Sequence, residues 1–402
     1  MSTTIPHPDE NNLWRTETPG APDWPRTARP EDPNKFFMVS ADGHLHEPAA
    51  LWHERIEPQY RDRLPTFRTD AEGNRVQTAE GMRPVTLRDI RFEGEDGLRQ
   101  GAGQDPEARL ADLAADGVEC EILFPNKGLF MWATADAEFS QAMCRVYNTW
   151  AMEVFGPYND RLSPMACLAP ADVPGAVAEV ERAAKLGFRG LCLPCKPIWG
   201  AHDHEPSNYN HPEFDPLWAA IQDSGLPMTI HVGTGKDPRA QSGRGGAVIN
   251  YAVHALTPAL EPVANLCASG VLARYPGLRF ALIESGIGWV PWALTAMDEA
   301  YRKHHMFVRP KLEGLPSDYF KQHGYASFQE DPPGIDLARE HGLVDNFMWA
   351  NDYPHHEGSW PHSAAAIERT MAKLEDDERA RILGQNAAKL FGFEPPRPAG
   401  RA

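Results

Sequence analysis

The chain is short of cysteine, of positive charge and of long apolar runs, and each shortage narrows what it can be. Six cysteines (120, 144, 167, 192, 195 and 267) spread over 402 residues do not make a disulfide framework, and they read as reduced and mostly buried. Cys192 and Cys195 form one C-x-x-C, but no second pair at zinc-site spacing follows, and both sit in an apolar, strand-like run that reads as core. Lysine and arginine number 39 against 56 aspartates and glutamates; the net charge of −17 argues against nucleic acid or an anionic membrane as the main partner. No apolar run approaches the roughly 18 residues that span a bilayer. The stretch from Met1 to Glu10 is polar and carries Pro6 and Pro8, unlike a signal peptide, so a soluble, cytoplasmic protein is expected. Glycine patterns that cradle phosphates are also missing. No G-x-G-x-x-G follows the first candidate strand, and the glycines of 232–246 lack P-loop spacing and read as a loop over a site's mouth.

What is present is enough apolar residue, 42%, to bury one large core. Residues 1–35 hold seven prolines and no periodic pattern, so they read as an extended arm. With Trp14 and Trp24 on it, that arm is expected to lie on a surface, its own or a neighbour's, in a homo-oligomer. From residue 36 onward, apolar runs recur at 36–42, 118–124, 161–168, 188–194, 227–231, 278–284, 324–328 and 346–352. Helical patterns lie between them, as at 137–155, 174–187 and 215–225, the last two ending on Gly187 and Gly225. Strand and helix alternating in this way predict an α/β protein, a (β/α)8 barrel over 36–395, rather than an open sheet. The polar stretch 53–108 reads as a lid inserted after the first strand, 361–374 and 376–391 as closing helices, and 396–402 as a tail.

In such a barrel the chemistry stands at the carboxyl ends of the strands. Those ends carry Asp42, Gly43, His44, Leu45, His46 and Glu47 on strand 1, His231 on strand 5, Glu284 on strand 6, and Asp352 with His355 on strand 8. Alternation puts Asp42, His44 and His46 on one face of an extended segment, neighbours about 6.6 Å apart. Imidazoles and carboxylates converging from separate strands would lack partners unless a divalent cation joined them. Histidine with aspartate suits Zn²⁺, Mn²⁺ or Fe²⁺. Glu47, Glu284 and His355 exceed what one cation needs, so they are candidates for a second metal or for orienting the ligands. Asp352 and Glu284 are the candidate proton carriers, and His254 a candidate substrate contact. His202 and His204 read as lid residues, and Trp199, Trp289 and Trp360 as walls of an apolar pocket.

Seven stretches carry a family resemblance: ADGHLHEPAALW (41–52), DGVECEILFP (116–125), YNTWAMEVF (147–155), GFRGLCLP (187–194), TIHVGTG (229–235), YPGLRFALIESGIGWVPW (275–292) and NDYPHHEGSWPHS (351–363). In these the chain resembles the amidohydrolase-related family, in the branch of aminocarboxymuconate semialdehyde decarboxylase and γ-resorcylate decarboxylase. The resemblance implies a (β/α)8 barrel with a divalent metal held by a strand 1 pair, His231 and Asp352. It leaves the pair open: a D-x-H-x-H pattern would use His44 and His46, an acid-x-His pattern Asp42 and His44. It also implies a catalytic histidine at the end of strand 6, where this chain has Glu284. The expected function is a metal-dependent hydrolase or non-oxidative decarboxylase of a small carboxylated or aromatic molecule. The alternatives are a dinuclear iron or iron–manganese oxygenase on the same fold, and a silent subunit of a hetero-oligomer.

Overall fold

The structure, a computed structural model, describes residues 3–4, 36–82, 84–87, 90–91, 94–103, 105–197, 208–234 and 244–395. Eight staves follow one another around a ring. They are β1 (Val39–Ser40, resumed at His44–Leu45), β2 (Cys120–Pro125), β3 (Leu162–Pro164 and Ala166–Cys167), β4 (Leu191–Leu193), β5 (Met228–His231), β6 (Phe280–Ile283), β7 (Gly324–Phe328) and β8 (Phe347–Trp349). Every neighbouring pair is parallel: Val39 faces Cys120, Glu121 faces Leu162, Ala166 faces Leu191, Met228 faces Phe280, and Ala326 faces Phe347. The ring closes where Ala41 N donates to Trp349 O at 3.0 Å and His44 N to Tyr353 O at 2.8 Å. All eight staves coincide with apolar runs of the sequence because parallel strands are covered on both faces and need no polar side.

The helices between them start and stop on local signals. In α1 (Pro106–Asp116), α2 (Ala137–Phe155) and α3 (Val173–Leu186), the side chains of Asp105, Asp136 and Asp172 accept from the first-turn amides. Gly117 and Gly187, both left-handed, end the first and third of these, and Gly225 ends α4 (Asp215–Ser224) in the same way. At the bottom of the barrel the closing helices run Ser363–Met371, then Asp376–Ala380, a π turn at Arg381–Gln385, and Asn386–Phe391. A Cβ on Gly384 would stand 1.8 Å from Phe37 O, so glycine there lets the last helix touch the entry to β1.

The stretch between β1 and β2 is more ordered than its weak pattern announces. It carries an antiparallel sheet of Thr66–Thr69, Arg75–Thr78 and Val85–Leu87, then a helix Gly94–Gly101. Thr66–Thr69 are exposed throughout, which is why no apolar alternation marks them. Residues 5–35 of the arm, with Trp14 and Trp24, lie outside the described residues, as do Trp199, His202, His204 and 235–243 of the glycine-rich loop. The six cysteines are buried and free. Among the described residues no helix is long and apolar enough to cross a membrane.

Candidate metal centre

The four staves that end in ionisable residues bring them together at one end of the barrel. Donor atoms of Asp42, His44, His231 and Glu284 lie within 4.8 Å of one another; so do those of His44, Asp352 and His355, and those of Glu284, Asp352 and Glu357. Asp42, His44 and Asp352 are fully buried, and His231 nearly so.

Each of the two inner histidines spends one ring nitrogen on the backbone. His231 Nδ1 is 2.7 Å from Val232 O and His44 Nδ1 is 3.2 Å from Pro125 O. A carbonyl can only accept, so each Nδ1 carries a proton, and an Nε2 that carries none presents a lone pair. Those lone pairs face carboxylate oxygens: His44 Nε2 stands 3.4 Å from Asp352 Oδ1 and 3.6 Å from Asp42 Oδ1, and His231 Nε2 stands 3.3 Å from Asp42 Oδ1 and 3.4 Å from Glu284 Oε2. Burial, with His355 and His231 nearby, keeps the His44 pKa well below its ordinary value, so the ring is neutral. Neither Nε2 has a hydrogen-bond partner in the protein, and neither does any carboxylate oxygen of Asp42 or Asp352. Lone pairs aimed at lone pairs in a dry interior are what a divalent cation resolves.

The acids report the same shortage of positive charge. Burial, and then repulsion from Asp352, hold the carboxyls of both Asp42 and Glu284 well above the usual carboxylate range. His355 stacks on His44 at 3.9 Å, with Nδ1 3.3 Å from Asp352 Oδ1. Burial alone would lower its pKa, but Asp352, Glu357 and Glu284 carry it up to about 10. Two of the acids also bend the backbone. Glu284 (φ 59°) and Asp352 (φ 53°) are the non-glycine residues with positive φ among the described residues. A left-handed residue at each strand end is a local strain, held here by surrounding bonds.

A buried ion pair underlies the centre. Arg109 of α1 donates from Nε to Glu121 at 2.5 Å, from Nη1 to His44 O at 2.8 Å and from Nη2 to Tyr353 O at 3.0 Å. A Cβ on Gly43 would stand 2.2 Å from Glu121 Oε1, so only glycine lets β1 lie against this pair. Burial, opposed by Arg109, sets the Glu121 pKa at about 7.

Several residues singled out in the sequence stand elsewhere. His46 belongs to none of the donor groups. The regular strand stops at Ser40 and resumes only at His44–Leu45, so the alternation that would align His46 with Asp42 and His44 does not persist. Burial, Arg109 and Lys127 pull its pKa down to about 4. Glu47 is likewise outside the groups; its carboxylate accepts from the amides of Asn126, Lys127 and Gly128 at 2.9–3.0 Å and so ties β1 to the loop after β2. His254 lies on a π-helical turn, Asn250–Ala255, also outside the groups. The Trp289 indole donates to the carbonyls of Ser285 and Gly286, and Trp360 is buried edge-on against Tyr353 at 4.8 Å. Glu357 and Arg109 were not foreseen. The charged run after Asp352 was a signal for the first; nothing local marks the second.

The sequence pattern of the amidohydrolase family matches residues 41–393. The chain belongs to this family. A γ-resorcylate decarboxylase of Rhodococcus jostii is 26% identical over 305 residues, 72% of this chain and 88% of its own length. Among solved amidohydrolase structures, one from Mycobacterium avium subsp. paratuberculosis superposes with a TM-score of 0.70 at 19% identity, over 89% of this chain and 98% of that one. A dihydroxybenzoic acid decarboxylase from Polaromonas, solved with bound manganese and 2-nitroresorcinol, superposes at 0.60 with 20% identity, over 89% and 97%. This member of the family thus has a γ-resorcylate decarboxylase among its relatives and a buried cluster of residues of the types that could hold a metal ion.

Proposed function

We propose that this amidohydrolase is a divalent-metal-dependent, non-oxidative decarboxylase of a small hydroxylated aromatic carboxylate. The observation that carries the reading is the set of partnerless Nε2 and Oδ atoms of Asp42, His44, His231 and Asp352 converging in a buried site. The Rhodococcus relative supports the decarboxylase class. Of the two strand 1 pairs, Asp42 with His44 is the one grouped with His231, and the resemblance adds Asp352, which His44 Nε2 faces at 3.4 Å, so these four would hold the cation. When bound, a divalent cation supplies positive charge that polarises and orients the oxygens of a substrate.

The chain's own residues account for the proton. Loss of CO2 leaves the bonding pair on the ring carbon, which must then be protonated. Glu284 stands where the resemblance implies a histidine, and burial beside Asp352 keeps its carboxyl neutral enough to do an acid's work. It gives its proton to that carbon and is reprotonated from solvent after CO2 departs. At 7% exposed it is more accessible than Asp42 or Asp352, both at 0%. The protonated His355 beside Asp352 offsets part of the negative charge around it.

A second reading, a dinuclear iron or iron–manganese oxygenase, is favoured by one observation: Glu284, His355 and Glu357 add donors beyond Asp42, His44, His231 and Asp352. One experiment separates the two. Protein loaded with Mn²⁺ or Fe²⁺ is incubated without oxygen in D2O with a panel of hydroxybenzoates, and CO2 release, ring deuteration and metal per chain are measured. CO2 with one deuterium at the vacated carbon supports the decarboxylase. No CO2, two metals per chain and substrate-dependent O2 uptake in air would sink it in favour of the oxygenase.

A further inference from the structure

The residues that converge on the centre lie beyond the regular strands. β8 ends at Trp349 and the first segment of β1 at Ser40, while the donors are Asp42, His44 and Asp352. The seam between these two staves is thin at that level. Below it, Ala41 N donates to Trp349 O and Ser40 Oγ is paired with Asn351 N and Oδ1, but beyond Asp42 the seam is an isolated bridge between Gly43 and Tyr353 and the bond from His44 N to Tyr353 O. Asp352 is also in a left-handed conformation, which persists only where the surroundings over-determine it. Past those bonds, a contact from outside the barrel sheet that engages both segments would fix their spacing further.

We propose that Arg109 is a positioning residue, whose guanidinium bridges the carbonyls of His44 and Tyr353 and so fixes His44 relative to Asp352. The geometry is suited to it. Nη1 reaches one carbonyl and Nη2 the other, at 2.8 and 3.0 Å, while Nε is anchored on Glu121 of β2. A planar fork with fixed angles between its donors holds two acceptors at one spacing, which a lysine's single ammonium cannot do. Tyr353 is gripped three ways from the same helix: its carbonyl by Arg109, its ring face by the Arg109 guanidinium at 4.7 Å, and its hydroxyl by Asp112 at 2.5 Å. Arg109 is fully buried, so no water competes for these bonds. The helix α1 thus reaches from the end of the inserted segment into the seam and ties the lid to the spacing of the ligands. This rests on the proposed metal site, and its test reads the metal directly.

The full-length chain, stripped with a chelator, is titrated with Mn²⁺ against a competing chromophoric chelator, and the melting temperature of each stripped protein is recorded. Three variants accompany the wild type. Arg109→Lys keeps the pair with Glu121 but not the double carbonyl bridge. Arg109→Met with Glu121→Met replaces the whole buried pair by apolar side chains, an exchange that need not destabilise. Arg189→Lys, at a side chain that binds the carbonyls of Asn159 and Gly392 near the other end of the barrel, is the control. The expectation is an Mn²⁺ affinity lowered about 10- to 100-fold in both Arg109 variants, as is usual when the groups that orient ligands are removed. The control keeps its affinity, and the double variant keeps a stripped melting temperature close to wild type. Affinities within about threefold of wild type, even with lowered melting temperatures, would make Arg109 a stabilising residue only and overturn the proposal. If the double variant does not fold, Arg109→Lys decides alone by the same criterion. A wild type that binds no Mn²⁺, Zn²⁺ or Fe²⁺ overturns the functional reading and this proposal together, whereas wild-type binding with unaffected variants overturns this one only.

Discussion

Removing the metal should make stability fall with pH in a way the loaded protein does not share. In the stripped protein Asp42 and Glu284 hold protons well above the usual carboxylate range, and His355 holds one up to about 10. Raised acids bind more protons folded than unfolded, so their stabilising proton is lost as pH climbs from the unfolded carboxylate range towards the folded value. His355 has the same sign: its contribution is complete below its unfolded pKa and disappears as pH rises through about 10. His44, with a lowered pKa, has the opposite sign, but it is neutral in both states above about 6.5. Above that pH each proton the cluster retains therefore costs about 1.4 kcal/mol per pH unit. For 402 residues an unfolding entropy near 2.1 cal/mol/K per residue converts this to a fall of about 2 °C per pH unit per proton. A cation takes the place of the proton on its ligand Asp42, while Glu284 and His355 keep theirs, so the loaded protein's curve should be flatter by that one proton. At a hundredfold excess over its dissociation constant the cation adds about 2.7 kcal/mol, or about 3 °C, a gap that widens with pH. Scanning calorimetry of stripped and Mn²⁺-loaded protein from pH 6.5 to 8.5 measures both slopes. Equal slopes, or no shift with any divalent cation, would refute the reasoning that the cluster is a set of cation ligands short of positive charge.

Asparagine tolerates the left-handed region, so Asp352→Asn should keep or raise the stripped melting temperature while metal content by elemental analysis falls to background; Asp352→Ala should lose about 1–2 kcal/mol to the same backbone. Gly43→Ala drives a methyl into Glu121 and Arg109 and should lower stability by about 1–3 kcal/mol in urea unfolding, with reduced metal content. Glu47→Ala should leave metal content intact and still destabilise by about 2 kcal/mol or more, because three amides lose their acceptor. His46→Ala should also keep its metal, and a loss there would reinstate His46 as a ligand.

The barrel was legible because its eight staves are apolar runs with polar residues just beyond them, and a fold buried on both faces cannot hide that pattern. The exposed antiparallel sheet at 66–87 was not legible, since nothing in Thr66–Thr69 has to be apolar. At the site, His44, His231, Glu284, Asp352 and His355 could be read as strand-end residues. That Asp42 and not His46 falls in a donor group could not, because it depends on a break in β1 between Ser40 and His44 that strand alternation does not foresee. Arg109 was invisible for a different reason. Its acceptors are Glu121, 12 residues away, His44, 65 away, and Tyr353, 244 away, and two of them are backbone carbonyls that any residue would supply.

The two left-handed acids connect strain to chemistry. Both acids stand just past a strand end in the left-handed region, with the Glu284 carboxyl among the donors of β1 and β5 and the Asp352 carboxyl beside His44 of β1. Glycine would adopt the turn without cost but would bring no oxygen. The cost is borne by bonds around each turn: Ser327 Oγ accepts from Glu284 N at 2.9 Å, His355 N donates to Asp352 O at 2.8 Å, and Ser359 N donates to Asn351 O at 2.9 Å. Those bonds come from β7 and from the loop that carries His355 and Glu357, so the same loop that supplies extra donors also holds Asp352 in its strained form. Placement of an acid where two strands end and stability of the fold are thus opposed at these two positions, and the opposition is the physical mark of a site built to bind rather than to pack.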